Sequence, residues 1–171
     1  VLCLAFATLV PLRAEAAVEG RYIYLGNALS EKMELAEVQV FSGGDNVILK
    51  RPEVFTQGLE YSWYMHKRDP ARIEADAAKL VDGKLDPTQR VSFGSKIGGG
   101  YLDIALRNSS LELDLGRQMP IDKIAFLRSR YADKLYKDLG WRILVVLDEK
   151  RRIVASEAFN VYGPGWKTNE G

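Results

Sequence analysis

The chain is poor in the residues that most often carry chemistry. Its 171 residues include one cysteine, Cys3, and one histidine, His66. A lone cysteine offers no disulfide framework and no cysteine metal site within one chain. A lone histidine excludes the paired-histidine spacing of zinc centres. It also leaves a single imidazole to act as base toward a nucleophile, and that one stands in an irregular stretch beside Lys67 and Arg68, where a solvated loop histidine is expected. Charge of one sign is missing too: 24 Lys and Arg against 23 Asp and Glu leave a formal net charge of +1. No basic surplus steers nucleic acid, and the densest basic cluster, Lys150-Arg151-Arg152, falls where a hairpin turn is expected. No apolar run reaches the ~20 residues of a transmembrane helix.

What is present fits one globular domain. Apolar residues make up 47% and charged residues 27%, enough to build a real core. The opening stretch, VLCLAFATLVPLRAEAA, is an apolar run followed by Ala14-Glu15-Ala16. That is the pattern of a secretory signal peptide and its cleavage site, assigned to residues 1–16 with the basic leading part missing. The expected destination is export, whether periplasm, cell surface or medium. Cys3 lies inside this segment, so the exported chain would have no thiol and would depend on its core for stability. The alternative is a buried N-terminal strand.

The chain is organised around Ser110 to Arg128, SLELDLGRQMPIDKIAFLR. Leu111, Leu113 and Leu115 alternate with Glu112 and Asp114, the period of a strand with one buried face. Gly116 is expected to end that strand and residues 117–120 to connect it to a second, Ile121 to Leu127. Apolar on both faces, the second strand is predicted to lie centrally in a two-layer core.

Other strands are predicted at 21–25, 35–41, 47–49, 91–93, 141–147 and 153–159. The last two form a hairpin through Asp148-Glu149-Lys150-Arg151. Ile73, Ala77 and Leu80 recur at helical spacing and predict two to three turns ending near Val81, closed by Asp82-Gly83. Residues 51–72 are predicted to be a long excursion. The predicted core is Val38, Val40, Leu113, Leu115, Ile124, Phe126, Ile143, Val145 and Ile153. The fold class is all-β, an antiparallel sandwich of residues 20–163 with one short helix, long loops and a tail at 164–171.

Carboxylate pairs for glycoside hydrolysis would have to come from Asp103, Glu112 and Asp114, but the latter two alternate with core leucines, and a solvated strand face explains them. The expectation is no catalysis. Residues 77–93, AAKLVDGKLDPTQRVSF, gather oxygen donors in a turn: Asp82, Asp86, Thr88 and backbone carbonyls. Hard cations such as calcium take that mixture, while an Asp-Gly turn after a helix also has a purely structural use.

Four segments in order, LAEVQVFSGGDNV, AAKLVDG, LELDLGRQMPIDKIAFLRSR and WRILVVLDEKRRIV, resemble the discoidin-like family. These are galactose-binding-like sandwiches that include factor V/VIII type C domains and F-type lectins. The resemblance runs from about Arg21 to Gly163. It implies an eight-stranded jelly roll that binds glycans or cell-surface polymers without catalysis, the alternative being a structural or adhesive accessory domain with no small ligand.

The resemblance also implies a structural calcium held by the Asp82 and Glu37 carboxylates, a Thr88 or Ser92 hydroxyl, and carbonyls of Lys79, Lys84 and Ala36. For the ligand it implies Arg128, Arg130, Asp133 and Lys137, with Tyr61 and Trp63 as stacking candidates. The upstream histidine of the fucose pattern falls near Asp103 here, so the implied ligand is a glycan class rather than fucose.

Overall fold

A computed structural model describes residues 8–10, 17–27, 33–59, 68–93, 110–129 and 141–160. Within it the leucine stretch becomes β7 (Ser110–Ile121), a twelve-residue strand with neighbours on both sides. The other strands are β1 (Thr8–Val10), β2 (Val18–Asn27), β3 (Met33–Ser42), β4 (Asp45–Asn46), β5 (Phe55–Gln57), β6 (Val91–Phe93), β8 (Lys123–Arg128), β9 (Trp141–Leu147) and β10 (Ile153–Asn160). A 3₁₀ turn spans Pro52–Val54, and one helix, α1, spans Pro70–Leu80.

The strands form two antiparallel sheets. One has the order β10-β9-β2-β7-β5; the other runs β1-β8-β3, with β4 and β6 also paired to β3. Ile23, Leu25, Leu113, Leu115, Leu144 and Val146 from the first sheet share one buried cluster with Val38, Val40, Ile124 and Phe126 from the second. The architecture is a mostly antiparallel β-sandwich with one short helix among the described residues.

The alternation rule holds where strands have one wet face. Ile23 is buried between the half-buried Tyr22 and Tyr24, and Leu113 between Glu112 and Asp114. β8 is buried from Ile124 to Leu127 because β1 and β3 flank it, which makes it a central strand as predicted. Thr8–Val10, inside the segment assigned to a signal peptide, pairs with Ile124–Phe126.

Four expectations need correction. Gly116 does not end β7. The strand is interrupted there, since Tyr22 pairs with Asp114 but Gly20 with Met119, and residues 115–118 loop out opposite Arg21. Gly116, at φ +85°, supplies the left-handed backbone for that detour, with its N–H donating to Asp114 Oδ1. β7 therefore runs on to Ile121, and the second strand starts at Lys123.

Residues 47–49 coil rather than form a strand: Asn46 Oδ1 accepts from Val40 N and Ile48 N, Leu49 N and Arg51 N donate back three residues to Asn46 and Ile48, and Lys50 N donates to the Val81 carbonyl. The 51–72 excursion contains β5, which pairs with β7, and the start of α1. Asp69 caps that helix by accepting from Arg72 N, and Pro70 opens it, so it begins three residues before Ile73.

The inward face of β9 was assigned wrongly as well. Leu144 and Val146 are buried, whereas Ile143 is 39% exposed, Val145 is half-buried, and Ile153 beside the hairpin turn is 67% exposed. From Ile143 to Leu147 the strand is apolar on both faces, and Arg142 alternates with Leu144 and Val146, so period two does not find the inward face.

Candidate functional site

The residues worth examining gather where α1 ends against β3. Alternation puts Glu37 on the face of β3 opposite Val38 and Val40, where a carboxylate would be expected to meet water. Instead Glu37 is fully buried, because the chain leaving α1 lies against it. A bulge at Ala36 sets this register, since Leu35 pairs with Arg128 but Glu37 with Leu127.

Gly83, at φ +81°, turns the backbone so that its N–H donates to Glu37 Oε1 at 3.0 Å. In a continuing α-helix that amide would return to the Lys79 carbonyl. The second oxygen, Glu37 Oε2, is buried and accepts no hydrogen bond. Burial pushes the Glu37 carboxyl up to about 7, against the pull of the Gly83 amide, and the nearby Asp82 charge raises it further.

Asp82 is the other half of this corner. Partial burial raises its carboxyl, but the Lys84 amide at 2.8 Å, the Gln89 side chain at 3.1 Å and Lys84 itself hold it below the usual range. Lys84 Nζ stands 3.2 Å from Asp82 Oδ2 on an exposed stem. A buried carboxylate, a second carboxylate and the C-terminal end of a helix thus converge, and all three favour a cation.

Of the residues singled out in the sequence, the fold brings Glu37, Asp82, the Lys84 backbone and the end of α1 containing Lys79 into one place. It takes the two hydroxyls elsewhere. Thr88 bonds to Asp86 through both its amide and Oγ1, and Ser92 Oγ donates to Glu34 Oε1. Ala36 is buried at the bulge. Among the described residues no group of three or more His, Cys, Asp or Glu side chains forms a metal cluster. The donor set nevertheless suits a hard cation, on the evidence of the orphaned Glu37 oxygen. Backbone carbonyls would have to complete the shell.

Of the implied ligand residues, Arg128 is described. It ends β8 half-buried, in register with Leu35, which pairs on its other side with Val91 of β6. Arg128 therefore lies at the Glu37 end of its sheet. Arg130, Asp133, Lys137, Tyr61, Trp63 and His66 lie outside the described residues, as does Asp103.

Sequence reasoning missed the ionic framework beside this corner. Asp76, on α1 and 1% exposed, pairs with Arg68, Arg72 and Lys79. Arg68 also donates to the Leu59 and Ser92 carbonyls, tying α1 to β6. Glu34, buried on β3, takes Arg90 Nε at 2.8 Å. The Arg72–Asp76 and Asp76–Lys79 spacings carry a helical pairing signal. The Glu34–Arg90 pair, 56 residues apart, carries none.

Comparison with protein-family models, with curated proteins and with solved structures finds no match. Among the described residues no helix is long and apolar enough to cross a membrane.

Proposed function

We propose that this chain is an exported, non-catalytic binding module for a carbohydrate or cell-surface glycan, a jelly-roll sandwich of the discoidin-like kind with a structural calcium. The observation that carries this reading is the unpartnered, fully buried Glu37 Oε2 beside Asp82 and the end of α1. A buried carboxylate oxygen without a donor is costly and calls for a cation.

Glu37 and Asp82 would supply the charge, and the carbonyls of Lys79, Lys84 and Ala36 the neutral oxygens. Bound calcium would supply the positive charge that fixes the 82–89 turn onto β3. Because β3 and β8 are paired here, the same ion would steady the end of the sheet that presents Arg128. The ordered sequence resemblance supports the glycan class.

A glycan array probed with the purified chain, once with calcium and once with chelator, tests this. Calcium-dependent binding that Arg128→Gln weakens is the expected result. Silence in both buffers would favour an accessory domain with no small ligand.

A further inference from the structure

A second feature lies beside the 47–51 turn, whose Lys50 N donates to the Val81 carbonyl at the end of α1. A cleft of about 650 Å³ opens between the loop that follows β3 and the loop-out of β7. That volume is within the range of small-ligand sites, roughly 300–1,000 Å³. We propose that this cleft binds a carboxylated sugar residue, a uronate, independently of the cation corner and of Arg128.

Three surfaces of different chemistry meet in the cleft. Leu115 and Met119 give it an apolar floor. Arg51 forms one wall and is held in place: its Nε donates to Glu53 Oε1 and its Nη1 to the Val47 carbonyl, each at 3.1 Å. Nη2 remains, standing 4.0 Å from where a Cβ on Gly116 would be. The next residue, Arg117, also lines the cleft, is exposed, and has no hydrogen-bond or ion-pair partner among the described residues. Asp45 adds one carboxylate to the lining.

The combination selects the ligand. Arg117 presents a planar fork that matches a carboxylate, and the remaining Arg51 Nη2 adds an oriented donor beside it. Asp45 repels a second anionic group but accepts from hydroxyls, so inorganic sulfate or phosphate uses only part of the site. A neutral sugar leaves Arg117 unmatched. A uronate supplies one carboxylate, several hydroxyls and a C–H face for the apolar floor.

Calorimetric titration of the full chain with glucuronate and galacturonate oligosaccharides tests the assignment. Neutral counterparts, inorganic sulfate and free amino acids serve as comparison arms. Uronates should bind, and the neutral sugars should bind about tenfold more weakly, the loss expected for one charge-assisted hydrogen bond. Arg117→Gln, at an exposed position that leaves the fold intact, should weaken uronate binding by about the same factor. Asp45→Asn should also weaken it.

The proposal is overturned if uronates fail to bind at millimolar concentration. It is equally overturned if sulfate or an amino acid binds as well as the uronate, or if Arg117→Gln has no effect. Uronate binding lost in Arg128→Gln but kept in Arg117→Gln would place the sugar at Arg128 instead. That outcome would overturn this site while leaving the glycan-binding reading standing.

Discussion

Replacing Glu37 by Gln is the sharpest test of the corner between β3 and α1. The carboxyl stands at about 7 in the folded chain against an ordinary 4.5. At roughly 1.4 kcal/mol per pH unit, that gap corresponds to about 3 kcal/mol. The sign follows from proton uptake. Below the unfolded value both states hold the proton, and the folded state carries no penalty. As pH rises from about 4.5 to about 7, the unfolded chain ionises while the folded chain does not, so stability falls; above about 7 the loss is complete.

Glutamine keeps the shape and can still accept from Gly83 N, but it does not titrate. Urea melts of both proteins in chelator, from about pH 4 to pH 8, give the stability difference at each pH, in which groups common to the two cancel. That difference should shift in favour of the glutamine variant by about 3 kcal/mol across the window. Adding calcium at neutral pH should restore the wild type and leave the variant unmoved. At one hundred times its dissociation constant the ion would contribute about 2.7 kcal/mol. Parallel pH curves would refute a buried, desolvated Glu37. Melting midpoints indifferent to calcium would refute the cation.

The remaining predictions concern the frame. Leu144→Ala should cost about 2–5 kcal/mol and Ile143→Ala under about 1, which chemical denaturation of the pair would check; the reverse order would show β9 facing the other way. Phe126→Ala should cost about 3–5 kcal/mol by the same assay, and a loss under about 1 would take that ring out of the core. Gly58→Ala should destabilise by about 3 kcal/mol or more, because its Cβ would stand 2.0 Å from the Ser110 carbonyl oxygen at a backbone φ of +106°; an unchanged midpoint would refute the close approach of β5 to β7. The Arg151 guanidinium holds the Glu112 carboxyl below its usual range. The pair therefore stabilises above the ordinary carboxylate value and loses that contribution as pH falls through the folded one. Arg151→Ala should remove that part of the acid sensitivity in melts taken through the acid range.

How much was legible varied with how local the cause was. The period of two in LELDL found both faces of β7, and Ile73, Ala77 and Leu80 found α1, because in each case neighbours along the chain decide the pattern. In WRILVVL the one polar residue, Arg142, alternates with Leu144 and Val146 and so argues for the wrong face; the face of β9 depends on which side β2 presents, a long-range fact. β5 is three residues long, too short for any period to register, and it is a strand because β7 offers it an edge. The cation corner was half legible. Asp82 and Glu37 were named together, and the fold does bring them together. The resemblance implied a Thr88 or Ser92 hydroxyl as well, but an Asx-type turn at Asp86 claims one and Glu34, brought alongside by β3–β6 pairing, claims the other. The cleft beside the 47–51 turn had no local signal, since its arginines come from segments 66 residues apart that meet only through the loop-out at Gly116.

The three acidic side chains buried on β3 and α1 differ in what answers them. Asp76 is met by three cations and Glu34 by Arg90. Each of these charges is compensated by the fold itself, as buried ions must be. Glu37 faces the Gly83 amide, the Gln39 side chain, the charge of Asp82 and the negative end of a helix, and the nearby Lys84 is exposed and sits on Asp82 rather than on Glu37. Two partners can answer it: a proton, held only up to about pH 7, or a metal ion taken from solution. Both need Glu37 Oε2, so they compete. An ion bound there should therefore lose affinity as pH falls below about 7, and a calcium titration followed by melting midpoint at about pH 6 and pH 8 would show it. Equal affinity at the two pH values would mean that the ion, if bound, does not contact Glu37.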